Sequence, residues 1–229
     1  MCGIAGIISF QKNLTEEELI RMRDSMIHRG PDGSGLWISE NKKVILGHRR
    51  LSILDLSEKA NQPMSNEDGS IWIVFNGEIF NYQDIRLELE KRGHIFKTDH
   101  SDTEVIIHSY EEWGFSCVEK FRGMFAFAIW DNNKNLLWIV RDRIGIKPIY
   151  WTKCNNKFLF ASEIKALFSN PEIKKEVDTQ SISDFLSILT VPAPRTMFKN
   201  INKLKAGNMM IINDKGDKKL KSTGILLLF

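Results

Sequence analysis

The chain opens Met1-Cys2-Gly3-Ile4-Ala5-Gly6-Ile7-Ile8, with cysteine in second place and an apolar run straight after it. Gly3 to Phe10 reads as a buried strand, because the run is short, Ile-rich and bounded by polar residues. Cys2 therefore stands at the start of that strand. Loss of Met1 would make it the first residue, with two reactive groups on one carbon skeleton. One is a thiol of ordinary pKa about 8.5, the other an α-amine of about 7.7–8.0. The amine can take the thiol's proton, so a single residue can be nucleophile and base, as an N-terminal Thr is with its own amine. The competing reading is a small apolar residue that begins a strand, since free cysteines are among the most buried residues.

At 229 residues the chain is long enough for one large domain or two small ones. Its 42% hydrophobic and 27% charged content is that of a soluble globular protein. A net charge of +3 is too small to imply nucleic acid. The basic run Lys215, Lys218, Lys219 and Lys221 reads as a solvated turn. The opening run lacks a basic n-region and a cleavage site, which argues against a signal peptide. No apolar stretch approaches the roughly 20 residues of a membrane span. Cys2, Cys117 and Cys154 are odd in number and lack CxxC spacing, so neither a disulfide framework nor a metal site is expected. A reducing cytoplasm fits that usage.

Leu14 to Ile27 predicts a helix capped by Thr15, with Leu19, Ile20, Met22, Met26 and Ile27 facing inward. Leu36 to Ser39 and Val44 to Ile53 predict a hairpin. Ile71 to Phe75 predicts a strand that stops at Asn76-Gly77, a pair that usually marks a tight turn. A helix follows from Asn81 to Lys91, with Ile85, Leu87 and Leu89 among its apolar positions. A short strand follows from His94 to Thr98, and a second helix from Ser101 or Asp102 to Trp113. Met124 to Trp130 with Leu136 to Val140, and Ile149 to Trp151 with Phe158 to Ala161, predict two more hairpins. Ser162 to Phe168 and Thr179 to Leu189 read as helices and Met209 to Asn213 as a last strand. Many strands with few helices point to an α+β fold, with helices packed on stacked antiparallel sheets. Apolar periodicity weakens after about Val191, which predicts a domain over residues 1–190 and an extension or linker over 191–229.

Four places besides Cys2 carry chemical potential. Arg50 ends a predicted strand, where a guanidinium can grip a carboxylate or make a structural ion pair. Asn76-Gly77 offers a side-chain amide beside a glycine N–H, which suits an oxyanion hole, or else an ordinary turn. Asp102 can bind a substrate ammonium, and its place at a helix start also suits an N-terminal acid. Arg141-Asp142-Arg143-Ile144-Gly145-Ile146-Lys147-Pro148 is a charged loop that could support a site from behind or stay an exposed turn.

Nine blocks in order resemble one family. They are Cys2 to Gly6, His28 to Gly33, His48 to Ile53, Gln62 to Met64, Phe75 to Asn81, Ser101 to Val105, Gly123 to Ala128, Arg141 to Pro148 and Ala161 to Leu167. The chain is similar, from residue 1 to about 210, to the glutaminase half of glutamine-hydrolysing asparagine synthetases. That half is a class II, N-terminal-nucleophile glutamine amidotransferase domain. The resemblance implies a four-layer αββα sandwich of two stacked, mainly antiparallel sheets. It implies that Cys2 attacks the glutamine side-chain amide with its α-amine as base, and that Asn76 and Gly77 hold the oxyanion. It also implies glutamine binding by Arg50, Leu51, Ile53, Asn76, Gly77, Glu78 and Asp102, with no metal. The ammonia released would serve ATP-dependent asparagine synthesis from aspartate. In the family that step belongs to a synthetase domain holding ATP and Mg, whose Ser-Gly-Gly-x-Asp-Ser loop does not occur here. No cofactor is expected in this chain. Gly224 to Phe229 does not look like the family continuation, which suggests a truncated or frameshifted product. Partners expected are glutamine and a synthetase domain or subunit, with a homodimer compatible, and neither nucleic acid nor membrane. The alternatives are a non-catalytic or truncated module of the same fold that binds or regulates a partner, and an ammonia donor for another carboxylate such as a sugar acid.

Overall fold

A computed structural model describes residues 1–52 and 60–224. Among these described residues, twelve strands form two six-stranded antiparallel sheets. The first holds β1 (Gly3–Ser9), β2 (Gly33–Ile38), β3 (Val44–Arg50), β8 (Tyr150–Cys154), β9 (Lys157–Ala161) and β10 (Asn202–Lys203), in the order β10-β8-β9-β1-β3-β2. The second holds β4 (Met64–Ser65), β5 (Ile71–Ile79), β6 (Gly123–Asp131), β7 (Leu136–Arg141), β11 (Asn208–Asn213) and β12 (Lys218–Ser222), in the order β12-β11-β7-β6-β5-β4.

The period-2 geometry of strands sorts the side chains into three apolar layers. Ile4, Ile8, Leu46 and Phe160 of the first sheet meet Val74, Ala126, Ala128 and Ile139 of the second. Ala5, Ile7 and Ile45 point the other way, onto Leu19 and Met22 of helix α1 (Glu16–Asp24) and Leu167 of α4 (Ile164–Leu167). The outer face of the second sheet turns Phe75, Phe127 and Trp138 toward Ile85 and Leu89 of α2 (Tyr82–Lys91) and toward Val105, Ile106 and Tyr110 of α3 (Asp102–Trp113). The layers therefore run helix, sheet, sheet, helix. β1 has neighbours on both edges and apolar layers on both faces, which explains why its sequence is apolar without alternation. Among the described residues no helix is long and apolar enough to cross a membrane.

Several local expectations differ from the structure. α1 has the Thr15 capping box, in which the Thr15 N–H donates to Glu18 Oε2 at 3.1 Å, but it ends at Asp24. Ile27 then lies in a 3-10 turn, more than half exposed, and Ile20 is only half-buried. Leu87 of α2 is likewise exposed. His94 to Thr98 is not a strand, because the Lys97 and Thr98 N–H groups donate to Glu104 at 2.7 and 2.9 Å rather than to a neighbouring strand. Asn76-Gly77 is not a turn. β5 runs through it to Ile79, with Asn76 opposite Ala126 and Gly77 opposite Phe125. A Cβ on Gly77 would stand 2.2 Å from the Met124 carbonyl oxygen, so close backbone approach is what requires glycine there. Of the lysines read as a turn, Lys215 lies in one, whereas Lys218, Lys219 and Lys221 lie in β12, an exposed edge strand; lysines on such an edge discourage further pairing. Residues 202–222, within the stretch read as an extension, add three strands to the two sheets. α5 (Thr179–Ile188) starts on an Asp178 side-chain cap.

Gly6 marks the tightest point of the sheet-to-sheet layer, where an added Cβ would lie 2.4 Å from the Phe160 ring and 2.9 Å from Leu46. Gly6→Ala is expected to lower unfolding stability by about 1–3 kcal/mol through overpacking. Urea denaturation followed by tryptophan fluorescence measures this, and an unchanged midpoint would contradict the packing described.

Candidate active site

The ends of several elements open onto one cavity of about 220 Å³. That is below the roughly 300–1,000 Å³ of pockets that take drug-sized ligands, and it suits a small metabolite. The start of β1 enters from one side. Because Gly3 pairs with Arg49, the preceding residue falls beside Arg50 and Leu51. The Leu51 N–H donates to Cys2 Sγ at 3.4 Å, and the Cys2 thiol reaches the Leu51 carbonyl at 3.7 Å. Arg29 Nε donates to the Cys2 carbonyl at 2.9 Å, while its Nη1 pairs with Glu163 at 3.1 Å. Burial pushes the Cys2 thiol up from its ordinary pKa. The Leu51 N–H, the terminal ammonium, Arg50 and Arg29 oppose that rise. A thiol held neutral in this way requires a base before it can attack. Met1 lines the same cavity, and while it is attached the Cys2 nitrogen is an amide without a basic lone pair.

The end of β5 forms the opposite wall with Phe75, Asn76, Gly77 and Glu78. Asn76 is 1% exposed, and its Nδ2 has no hydrogen-bond partner among the described residues. A buried donor left unpaired costs about 1–3 kcal/mol, so the site retains a donor at that cost. Arg50 closes β3 and donates to Asn61 Oδ1 at 2.7 Å. Asp102 enters at the N-terminus of α3, where Oδ2 accepts the Ile79 N–H at 3.0 Å and ties β5 to the helix. Burial raises the Asp102 carboxyl to about 6, and the Glu78 charge adds to the rise.

The structure thus brings Cys2, Arg50, Leu51, Asn76, Gly77, Glu78 and Asp102 to one cavity. Ile53 lies outside the described residues. Cation and anion in one cavity can hold a zwitterion beside the thiol and the amide donor.

His48 and Gln62, to which the sequence reading assigned no role, and the Arg141–Pro148 loop, expected to support a site from behind or stay an exposed turn, also build the site. His48 Nε2 lies 3.2 Å from the Phe75 carbonyl and joins the two sheets. Its burial lowers its pKa to about 3, so it stays neutral and donates. Gln62 accepts the Phe75 N–H at 2.6 Å and donates to Thr103 Oγ1 at 3.1 Å, locking β5 to α3. The Arg141–Pro148 loop folds around the buried Asp142. Its Oδ1 accepts from Ile144, Gly145 and Ile146, and its Oδ2 from Lys147 and Phe125. Phe125 is the partner of Gly77, so the loop supports the cavity wall, and Lys147 itself reaches the cavity. The blocks His48 to Ile53, Gln62 to Met64 and Arg141 to Pro148 flagged these places in the sequence. The roles of His48 and Gln62 depend on contacts 13 to 41 residues apart, which no local pattern encodes, whereas the Asp142 loop is closed by bonds 2 to 5 residues apart and reaches Phe125 17 residues away.

Residues 1–222 match the family model described as a glutamine amidotransferase domain. The chain is 41% identical over 221 residues to glutamine-hydrolyzing asparagine synthetase 3 of Bacillus subtilis, covering 94% of this chain and 35% of that protein. It is 40% identical over 231 residues to the putative glutamine-hydrolyzing asparagine synthetase 2 of Methanocaldococcus jannaschii, covering 93% of this chain and 44% of that protein. The chain therefore spans well under half the length of these relatives. Its fold is similar to that of glutamine phosphoribosylpyrophosphate amidotransferase from B. subtilis, with a TM-score of 0.73, 22% identity, and coverage of 97% of this chain and 49% of that one. A match over nearly all of the sequence, together with this fold, means that the chain belongs to the glutamine amidotransferase domain family.

Proposed function

We propose that this chain hydrolyses glutamine to glutamate and ammonia through a thioester on Cys2. The observation that carries the reading is the meeting of the Cys2 thiol, the unpartnered Asn76 amide, Arg50 and Asp102 in one small cavity. Arg50 takes the substrate α-carboxylate and Asp102 its α-ammonium. This fixes the side-chain amide between Cys2 and Asn76. Glu78 and the main chain near Leu51 and Gly77 complete the grip, with Ile53 expected to contribute from the adjoining segment.

Removal of Met1 frees the Cys2 α-amine. That amine takes the thiol proton as sulfur bonds to the amide carbon, and the carbonyl oxygen becomes an oxyanion held by Asn76 Nδ2 and the Gly77 N–H. The C–N bond then breaks. The proton passes from the α-ammonium to the leaving nitrogen, giving ammonia and a thioester. Water adds to the thioester carbon, its proton returns to sulfur, and glutamate leaves. No metal or cofactor is needed in this sequence of steps. The length of the relatives beyond the matched part supports a second role: ammonia delivered to a synthetase domain or subunit that makes asparagine from aspartate with ATP.

A non-catalytic module of the same fold is the second reading. Intact-mass measurement separates the two: retained Met1 supports the module, lost Met1 the enzyme. Cys2→Ala is expected to abolish glutamate release from glutamine in a coupled assay, and release at the unaltered rate would overturn the proposal. Asn76→Ala is expected to lower kcat by about 100–1,000-fold through loss of one oxyanion donor. The pH dependence follows from Asp102. Its carboxylate must be charged to hold an ammonium, and the charge is lost as pH falls through about 6. Glutamine binding to the inert Cys2→Ala protein, read by calorimetry, should therefore weaken by about tenfold per unit below that pH. Asp102→Asn should bind weakly at every pH without that slope.

A further inference from the structure

Away from the cavity, one cluster of imidazole and carboxylate groups has no part in the reaction above. His94 follows α2, and His108 and Glu111 lie on α3. One ligand atom from each lies within 4.8 Å of the other two. We propose that His94, His108 and Glu111 bind a divalent transition-metal ion of the zinc class, at a site distinct from the glutamine cavity.

The first argument is one of charge. His108 is 1% exposed; its Nδ1 lies 2.8 Å from Glu111 Oε2, while its Nε2 is buried without a hydrogen-bond partner. Carboxylate oxygens of Glu67 and Glu104 stand 3.6 and 3.8 Å from that Nε2. A neutral imidazole has one proton and one lone pair, so it cannot satisfy both ends. With the proton on Nδ1, a bare lone pair faces two carboxylates; with the proton on Nε2, a lone pair faces Glu111. Burial works against a charged ring, but Glu104, Glu111 and Glu67 outweigh it and raise His108 to about 9, so a second proton supplies the positive charge when no ion is bound. A metal ion on the Nδ1 side takes the place of one of those protons and leaves the other on Nε2, facing the carboxylates of Glu67 and Glu104.

The second argument is the surroundings. Glu111 Oε2 also lies 3.8 Å from His94 Nδ1, so one carboxylate oxygen serves both rings. Glu111 and His94 are held from behind, as metal ligands usually are. Asn66 Nδ2 donates to Glu111 Oε1 at 2.8 Å, leaving Oε2 for the ion. The far nitrogen of His94 lies 3.3 Å from Glu112, whose charge Arg92 partly offsets at 2.8 Å. Two imidazoles and one carboxylate form a donor set that zinc takes with an open fourth position. The same set disfavours magnesium and calcium, which prefer oxygen alone. Such an ion would cross-link the α2–α3 connection to α3, the helix whose first residue is Asp102.

The test is Zn²⁺ binding to the full chain carrying Cys2→Ala, so that the terminal thiol adds no ligand. Calorimetry is expected to show one Zn²⁺ per chain, with no comparable binding of Mg²⁺ or Ca²⁺, and chelator should lower the thermal midpoint. His94→Asn and Glu111→Gln, both at partly exposed side chains, should weaken binding by at least about 10-fold and remove the chelator effect. Zn²⁺ binding of equal strength in both variants would place the ion elsewhere and overturn the proposal. Absence of binding would also overturn it, leaving a second proton on His108 as the cluster's only cation.

Discussion

Burial of β1 on every side is the constraint from which the rest of the molecule follows. Its edges pair with β3 and β9, and its two faces enter separate apolar layers. A strand so enclosed cannot slide by one residue, because every side chain would move to the other face. The register Gly3 to Arg49 is thereby set, and with it the position of Cys2 beside Arg50 and Leu51. A chain terminus is normally among the least ordered parts of a domain. Here a central strand begins one residue later, so the second residue inherits the rigidity of the core.

The cavity holds polar groups whose needs the protein alone leaves unmet. Asn76 keeps an unpartnered amide, Asp102 a carboxyl raised by burial, and Cys2 a thiol raised by burial. Each is a cost to folding that apolar side chains of similar size would avoid. Perturbed groups concentrated in one cleft mark sites of function, since they become satisfied when substrate supplies the missing charge or atom. The neutral His48 bridge and the Gln62 clasp hold the walls in place without adding charge.

Helix α3 serves two neighbourhoods. Its first turn carries Asp102 and Thr103 to the cavity, while Glu104, His108 and Glu111 build the imidazole–carboxylate cluster. Residues 102 through 110 are all buried, so the helix is a rigid rod between the two. Glu104 shows how closely the regions are joined. It accepts the Lys97 and Thr98 N–H groups and stands beside His108, two residues along from Asp102.

Local pattern was enough for elements whose signals lie within a few residues. The buried first strand, the 124–140 and 149–161 hairpins, the Thr15 cap and the α3 start at Ser101 or Asp102 were all legible, because apolar period, capping residues and turn residues act at short range. Cys2, Arg50, Asn76 and Asp102 were legible as chemistry, since their residue types and neighbouring blocks carry it. Their convergence on one cavity was decided by the packing of the two sheets. So was the path of Asn76-Gly77. The local preference of that pair is a turn, but nine residues of pairing with β6 outweigh it. The Lys97–Thr98 segment likewise turned to Glu104 instead of a strand, and Lys218–Ser222 joined a sheet that its composition did not announce. The sequence by itself determined which residues could react and where those short-range elements lie. Tertiary structure alone decided which of those residues face one another, because hydrogen bonds and burial between distant segments are settled only when the layers close.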